Sequence, residues 1–272
     1  DKNEHSIFAY VMDQLDENGI YQGGALIDDP TPSLPRPLGS DDAYIYTAEM
    51  PPDLPGAEAV CSMLLAYADE PSATAKAVLE EALIKILCVS VCDPLVELLS
   101  EDEVPEPLLA LAEDWLYTHK RELVKYAIVI LAVFGLEKLR KEHSENLWDD
   151  LVDLCRCEEF TFFLTFAYRI NNIAPQDELW ELVRSTRGWG RIFTLYDLEC
   201  TTEEEEIWLL RHGCEIEIDY APICLVVMRK GQLLHHLHKE QLDYKTYRGC
   251  LLIINNFIMM LDRYYIGNSD PT

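Results

Sequence analysis

The stretch EIWLLRHG, Glu206–Gly213, is one of four short segments that are each built around a tryptophan. The other three segments are EDWLYTH, NLWDDLVDL and ELWELVRS, and the tryptophans are Trp115, Trp148, Trp180 and Trp208. Successive tryptophans are separated by 33, 32 and 28 residues. Self-similarity at a period of roughly 20–50 residues is typical of repeat proteins, in which each repeat is one supersecondary unit.

The residues that follow each tryptophan repeat as well. At 12, 15 and 16 residues beyond the tryptophan the side chain is always apolar or aromatic, and these offsets lie on one face of a helix. The twelve positions are Ala127, Ile130, Leu131, Phe160, Phe163, Leu164, Ile192, Leu195, Tyr196, Tyr220, Ile223 and Cys224. Each unit therefore contains a tryptophan-bearing first helix, a short turn and a second, apolar helix. We expect the four tryptophans to occupy equivalent, largely buried positions in successive hairpins. One such hairpin cannot bury its own apolar face, whereas stacked hairpins can.

We therefore predict an all-α fold, a right-handed α-solenoid of short helical hairpins similar to HEAT or armadillo arrays. The alternative is a non-repeating helical bundle in which the tryptophans fall at even spacing by accident. The second-helix positions favour the repeat, because they agree with one another independently of the tryptophan spacing.

The N-terminal part is predicted to differ from the rest. Residues 19–55 hold seven of the 14 prolines, together with Gly-Gly and Asp-Asp pairs. Proline fixes φ and lacks an amide donor, so no helix runs through the whole segment. We expect a first helix over Ser6–Asn18, capped by Ser6, and one short helix or strand at DAYIYTAEM.

Two regions follow from this division, an N-terminal helix with a proline-rich irregular segment (1–55) and an α-helical repeat domain (56–272). In the second region the periodicity predicts helices throughout. Their approximate spans are 56–69, 74–91, 93–100, 106–118, 121–135, 145–156, 158–170, 176–186, 190–198, 203–212, 219–229, 231–239 and 243–265.

The charge of the chain limits its partners. The net charge is −27, so phosphate backbones and anionic membrane surfaces are repelled, and we expect neither nucleic-acid nor membrane binding. Residues 1–119 carry 24 acids and only four bases, whereas residues 120–272 carry 25 acids and 18 bases. This asymmetry serves solubility, or it directs a basic partner to the first half.

The cysteines and the apolar runs indicate a location. There are nine cysteines, an odd number, and several lie inside apolar runs, which is typical of reduced thiols rather than of a disulfide framework. No basic-then-apolar leader opens the chain, and the runs YAIVILAVFGL and CLLIINNFIMML are too short to span a bilayer. We expect a cytoplasmic protein.

Four consecutive glutamates, Glu203–Glu206, form the most acidic run of the repeat region. Thr202 and Glu205 fit a capping box, in which the threonine hydroxyl accepts from the amide three residues on and the glutamate returns to the threonine amide. The positive end of a helix favours acids in its first turn. We predict a helix start here rather than a metal site, because consecutive residues splay around a helix axis.

The motif RSTRGWGRIF is the strongest candidate for ligand binding. Arg187 and Arg191 have the chemistry to grip a carboxylate or phosphate, with Trp189 as a flat contact surface. In the structural alternative, Gly188 ends one helix in the left-handed region and Trp189 packs as a staple on the next helix. The histidines of HHLH, His235–His238, are too few for a metal site without further ligands.

Three segments carry a resemblance to a known group. With GWGRI, EIWLLRHGC and DYAPICLVVMRKGQL, residues 178–234 resemble bacterial helical-repeat proteins that are sometimes labelled limonene hydroxylase. That label implies terpene oxidation. The chain has no nucleophile elbow, zincin motif, P-loop or dinucleotide fingerprint, and no recognisable haem, di-iron or flavin motif, so we expect no cofactor.

The combined prediction is a non-enzymatic interaction protein. An extended helical-repeat surface suits a protein or peptide partner, and the acidic first half favours a basic one. The alternative is a small-ligand-binding protein or an enzyme of unknown reaction, with its site at Arg187, Trp189 and Arg191. A deep apolar pocket with converging polar groups would favour the alternative.

Overall fold

The computed structural model describes residues 5–29, 36–101, 103–142 and 145–267. Within these residues the protein is all-α, as predicted, with no strand beyond an isolated antiparallel bridge between Leu15 and Tyr21. The helices are α1 Ile7–Asp13, α2 Ser40–Thr47, α3 Leu54–Asp69, α4 Ala73–Leu83, α5 Cys88–Leu99, α6 Glu106–Trp115, α7 Arg121–Phe134, α8 Leu136–Glu142, α9 Glu145–Leu154, α10 Glu158–Ile170, α11 Gln176–Ser185, α12 Gly188–Asp197, α13 Glu203–His212, α14 Ile223–Lys230, α15 Leu233–Leu237 and α16 Tyr244–Gly267.

The chain divides into two compact units, Asp1–Pro175 with α1–α10 and Gln176–Thr272 with α11–α16. The division predicted after residue 55 rests on the repeat pattern and stays a prediction. None of the helices in the described parts of the chain combines the length and the apolar character that crossing a membrane requires.

Helix α7 forms the centre of the first unit. Every residue from Glu122 to Ala132 is buried, so the helix has no solvent-facing side. A helix that is enclosed all round must be surrounded by other helices. Helices α5, α6 and α10 pack against it, and this arrangement places Glu122 and Lys125 in the interior together with the apolar side chains.

Helices in the first unit pack in a layered order. Helix α3 packs on α5, and α6 packs on α7, so each pair makes a hairpin-like layer. Across layers, α3 contacts α6 and α5 contacts α7, and α7 contacts α10 in turn. This order does not continue to α9, which packs on α1 and α8 instead.

The second unit contains α11 packed on α12 and α13 packed on α14, with α12 also contacting α14. Helix α16 lies against α13 and α14. At Gly249 the approach of α16 is so close that a Cβ atom would lie 1.9 Å from the backbone oxygen of Leu210. Only glycine fits at this crossing, because any side chain would collide with backbone.

The region around α5 departs from the predicted spans. One helix was expected over 74–91 and another over 93–100, but α4 ends at Leu83 and α5 runs from Cys88 through Pro94. Proline leaves the carbonyl four residues earlier without its helical donor. That carbonyl belongs to Ser90, and the amide of Asp53 donates to it over 2.9 Å. A tertiary contact thus replaces the lost hydrogen bond.

The N-terminal segment also differs in detail. Ser6 caps α1 as predicted and accepts from the amide of Ala9 over 3.1 Å, but the helix ends at Asp13 rather than at Asn18. The stretch DAYIYTAEM forms most of α2. Helix α8 was not predicted and follows Gly135, whose φ is +108°.

The four tryptophans are not equally placed. Trp115, Trp148 and Trp180 are buried as predicted, whereas Trp208 is only half-buried. Trp115 is the last residue of α6, while the other three lie within the first six residues of their helices, so the expected equivalent position is wrong for Trp115. Of the twelve second-helix positions, all are buried except the exposed Tyr196 and the half-buried Tyr220.

Candidate functional site

The arginine motif forms the tight connection between α11 and α12. Gly188 has a φ of +45°, in the left-handed region that the structural alternative required. It is, however, the first residue of α12 and not the end of α11, which ends at Ser185. Arg187 occupies the N-cap position of α12 in an extended conformation, without a side-chain cap hydrogen bond. The turn places the side chains at 187, 189 and 191 at one end of the hairpin.

Arg191 is engaged by the backbone of its own unit. Its Nε donates to the carbonyl of Thr186 over 2.9 Å, and its Nη1 donates to the carbonyls of Glu215 and His212 over 3.0 and 3.4 Å. The guanidinium also lies 5.9 Å from the ring centroid of Trp208. The side chain therefore ties α12 to the loop after α13, and its donors point into protein.

The other two residues of the motif are more accessible. Arg187 Nη1 lies 3.7 Å from Glu217 Oε1, and both side chains are exposed, so this pair contributes little to stability. Trp189 is half-buried, with its ring 5.1 Å from that of Tyr220 and 6.1 Å from that of Phe193. The predicted ligand role of Arg187, Trp189 and Arg191 stays a prediction.

A cleft of about 260 Å³ opens beside this corner. It is lined by the loop after α13 and by one side of α16, through Cys214, Ile216, Glu217, Ile218, Asp219, Tyr220, Ala221, Leu252 and Asn256. Pockets that enclose drug-sized ligands measure about 300–1,000 Å³ and are largely apolar. This cleft is smaller, and two acids, Glu217 and Asp219, border it. Their negative charge disfavours the binding of an anionic ligand.

The glutamate run has the predicted capping role. Thr202 Oγ1 accepts from the amide of Glu205, and Glu205 Oε2 accepts from the amide of Thr202 over 2.9 Å, which completes the capping box. Burial alone raises the pKa of Glu205, but the hydrogen bonds from Thr201 and Thr202 bring the pKa below its ordinary value. The glutamates diverge, since Glu203 pairs with Lys239 and Glu206 with His236.

His236 is the buried member of the histidine cluster. Its side chain is 1% exposed, its Nε2 lies 2.8 Å from Glu206 Oε2, and its Nδ1 lies 3.2 Å from Lys239 Nζ. This contact links α15 to the start of α13. In the part of the chain that the structure describes, no group of three or more His, Cys, Asp or Glu side chains is arranged to hold a metal ion.

A cluster of buried charges in the first unit was not predicted from the sequence. It consists of Lys125 with Asp42, Glu122 and Glu159, and we call it the Lys125 cluster. Lys125 Nζ lies 2.7 Å from Asp42 Oδ2, 2.8 Å from Glu159 Oε1 and 3.0 Å from Glu122 Oε1. All four side chains are at most 10% exposed. Three carboxylates thus share one ammonium group inside the protein.

Backbone amides support two of the three carboxylates. Glu122 Oε2 accepts from the amide of Cys88 over 2.9 Å and so caps α5, while Glu159 Oε2 accepts from the amide of Gly39 over 2.8 Å. Among the described residues, Asp42 Oδ1 has no hydrogen-bond donor. Asp42 is therefore the least stabilised carboxylate of the cluster.

The protonation of the cluster follows from these contacts. Burial raises the pKa of Asp42 to about 7, with Lys125 opposing the rise and Glu159 and Glu122 adding to it. Burial alone also raises the pKa of Glu159, but Lys125 and Arg121 outweigh it and bring that pKa below its ordinary value. Burial lowers the pKa of Lys125, and the three carboxylates raise it well above its usual range. The ammonium therefore stays charged.

Arg121 extends the cluster toward the surface. Its guanidinium donates to Asp28 Oδ1 over 2.8 and 3.0 Å, pairs with Asp29, and lies 3.5 Å from Glu159 Oε1. Together with Asp42, these contacts fasten the segment ahead of α3 onto α7 and α10. The Lys125 cluster is enclosed, so its role is to hold the fold and not to contact a substrate.

Two signals in the sequence point to this cluster in retrospect. Lys125 interrupts the apolar run of α7 on a face that must be buried, and a buried lysine requires carboxylate partners. The Asp-Asp pairs at 28–29 and 41–42 stand in a segment otherwise rich in proline and glycine. The pattern does not reveal which acids meet the lysine, because these partners are distant in the chain.

All nine cysteines are free thiols, and eight are buried, with Cys200 half-buried. Burial raises the pKa of Cys200 and of Cys214, each to about 12. Thiols held in this state are poor nucleophiles, because the thiolate is the reactive form.

Neither the protein-family models, nor the curated proteins, nor the solved structures include one that matches this chain.

Proposed function

We propose that this chain is a non-enzymatic helical-repeat protein, a HEAT-like or armadillo-like α-solenoid, that binds a basic protein or peptide in the bacterial cytoplasm. The packing of α3 on α6, and of α5 and α10 on α7, is what neighbouring repeats in the first unit would give and supports the proposal. In the second unit, α12 packs on α14 in the same relation, and the rings of Trp180 and Trp208 meet edge to face at 5.6 Å.

The acidity of α3–α6 carries the proposal for a basic partner. From Leu54 to Trp115 the chain has thirteen acids and two lysines. Both lysines already have partners, since Lys76 pairs with Glu80 and Asp114, and Lys85 pairs with Glu81. The remaining acids give this surface a negative potential that a basic protein would experience before contact.

Helix α5 presents part of this charge in an ordered row. Asp93, Glu97 and Glu101 are exposed and spaced by four residues, so they follow one side of the helix and its end. The pKa of Asp93 is raised, because the partial burial of its carboxylate and the charge of Glu97 outweigh the lowering effect of Arg169. A row of carboxylates that repel one another is suited to lysine or arginine side chains from a partner.

Affinity capture from a bacterial lysate tests the proposal. Wild-type protein should retain basic proteins that elute as salt is raised, because screening weakens contacts between exposed charges. The variant Asp93→Asn, Glu97→Gln, Glu101→Gln should retain fewer of them. The matched control is Asp177→Asn, Glu204→Gln, Glu240→Gln, which removes three exposed acids from the second unit. Capture of acidic partners that resist salt, or equal loss in both variants, would contradict the proposal.

The small-ligand alternative has the cleft beside Trp189 as its site. Binding there would require Arg187 to leave Glu217 and turn toward the cleft. Its modest volume and acidic border favour the interaction function instead.

A further inference from the structure

Helix α16 carries apolar side chains on two separate faces. Its inner face, with Thr246, Gly249, Cys250 and Ile253, lies against the second unit and is buried. Its outer face carries a second apolar row, which we call the outer stripe: Tyr244, Tyr247, Leu251, Ile254, Ile258 and Leu261. An apolar helix face is normally covered by other protein.

The outer stripe is accessible to solvent in the single chain. Tyr244 is 72% exposed, Ile258 51%, Tyr247 48% and Leu251 47%, and the other two members are partly exposed. Scattered exposed apolar residues are common on proteins, but a continuous row marks an interaction surface. The row is about 25 Å long at 1.5 Å per residue.

The spacing of the stripe identifies the kind of partner. Its members follow one another at intervals of three, four, three, four and three residues, which is the a and d pattern of a two-helix coiled coil. Such a seam is complementary to another helix with the same pattern. A second copy of α16 supplies one.

The flanking charges select the orientation of the two helices. Arg248 and Asp262 both lie at the e positions beside the stripe, 14 residues apart with Asn255 midway between them. In an antiparallel pair with its twofold axis near Asn255, each Arg248 faces Asp262 of the other copy. In a parallel pair Asp262 would face Phe257, and Arg248 would face Asp243, which already bonds Arg211 over 2.9 Å.

Arg248 and Asp262 are ready for such a contact. Both are exposed, and neither forms an ion pair with any residue that the structure describes. The helix Tyr244–Gly267 carries three bases and one acid, in a chain of net charge −27. It is therefore one surface on which two copies approach each other without strong repulsion.

We propose that α16 mediates an antiparallel homodimer, in which the two outer stripes form the seam and Arg248 pairs with Asp262 across it. The interface is independent of the acidic surface on α3–α6. The two surfaces also respond differently to salt, because an apolar seam persists at high salt whereas contacts between exposed charges weaken.

Sedimentation velocity of the full chain over a concentration series tests the dimer. The wild type should form a dimer that persists as salt is raised, and Leu251→Glu with Ile258→Glu should abolish it while the circular dichroism spectrum and melting temperature stay close to wild type. The matched control is Leu225→Glu, an equally exposed leucine on α14 at 45%, which should leave dimerisation unchanged. A wild type that remains monomeric at about 100 μM, or that is monomeric and binds lipid vesicles, would overturn the proposal.

A charge exchange tests the orientation separately. Arg248→Glu alone and Asp262→Arg alone should each weaken dimerisation several-fold, because each places like charges opposite one another. The double variant should recover the wild-type dissociation constant, since the antiparallel pair is re-formed with its signs exchanged. Failure of the double variant to recover would contradict the antiparallel pairing.

Discussion

The two units place charge and apolar surface in opposite ways. The first unit encloses Lys125 with three carboxylates at its centre, whereas the second unit leaves six apolar side chains of α16 facing outward. Buried charge is tolerated where each ion has partners, and exposed apolar surface is typical of a face that another molecule covers. The first feature serves stability within the chain, and the second serves association between chains.

Removing the central cation should have the largest effect. In Lys125→Met, three buried carboxylates lose their shared partner, and we expect the free energy of unfolding of the first unit to fall by about 3–5 kcal/mol. Chemical denaturation measures the change. Lys85→Met is the control, because Lys85 is exposed and its pairing with Glu81 at 3.1 Å should be worth less than about 1 kcal/mol. Equal losses in the two variants would contradict the stabilising role of the cluster.

The tryptophans allow the packing of the two units to be compared. Trp115 is fully buried and donates its Nε1 hydrogen to Glu80 over 2.7 Å, so Trp115→Ala should cost about 3–5 kcal/mol. Trp208 is half-buried, and Trp208→Ala should cost about half as much. Denaturation curves of the two variants give both values. A greater loss at Trp208 would mean that the second unit depends more on its partly exposed packing.

The pH dependence of stability tests Asp42. Its pKa of about 7 in the folded protein exceeds the ordinary value of 3.8, so the folded state holds this proton more tightly. The stabilisation is present below pH 3.8 and is lost as pH rises toward 7. The unfolding free energy of the wild type minus that of Asp42→Asn should fall by about 3 kcal/mol between pH 4 and pH 7. If this difference in unfolding free energy stays constant or rises with pH, the folded protein does not hold the proton on Asp42.

The capping box should give the smallest of these effects. Thr202→Ala removes the acceptor for the Glu205 amide and should lower the stability of the second unit by about 1 kcal/mol. Thr201→Ala is the comparison, because it removes only an exposed hydrogen bond to Glu205 and leaves the cap in place. If the two variants lose equal stability, the hydrogen bond from the Glu205 amide to Thr202 contributes no more than the exposed contact of Thr201.

Local features were predictable because their causes lie close together in the chain. The caps at Ser6 and Thr202, the left-handed Gly188 and most helices beyond residue 56 each follow from residues within a turn or two. The apolar offsets after the tryptophans also predicted most of the buried second-helix positions. In these cases the short-range pattern and the packed structure require the same residues.

Features created by distant contacts were missed for the corresponding reason. The start of α5 depends on Glu122, which accepts from the Cys88 amide, and no local cap identifies it. Arg191 was predicted as a candidate ligand-binding side chain, yet three backbone carbonyls accept its hydrogen bonds. They belong to Thr186 before α12, to His212 at the end of α13 and to Glu215 in the loop after α13. A sequence pattern identifies a charged residue, but it does not identify the distant groups with which that residue forms hydrogen bonds.

The proline inside α5 provides a kinetic probe of the first unit. The amide of Asp53, which precedes the first residue of α3, is bound to the Ser90 carbonyl that Pro94 leaves free. In heavy water this proton should exchange only when α3 separates from α5, since no helical hydrogen bond of α3 protects it. The deuteration rate at a single backbone position therefore reports how often two neighbouring helices part.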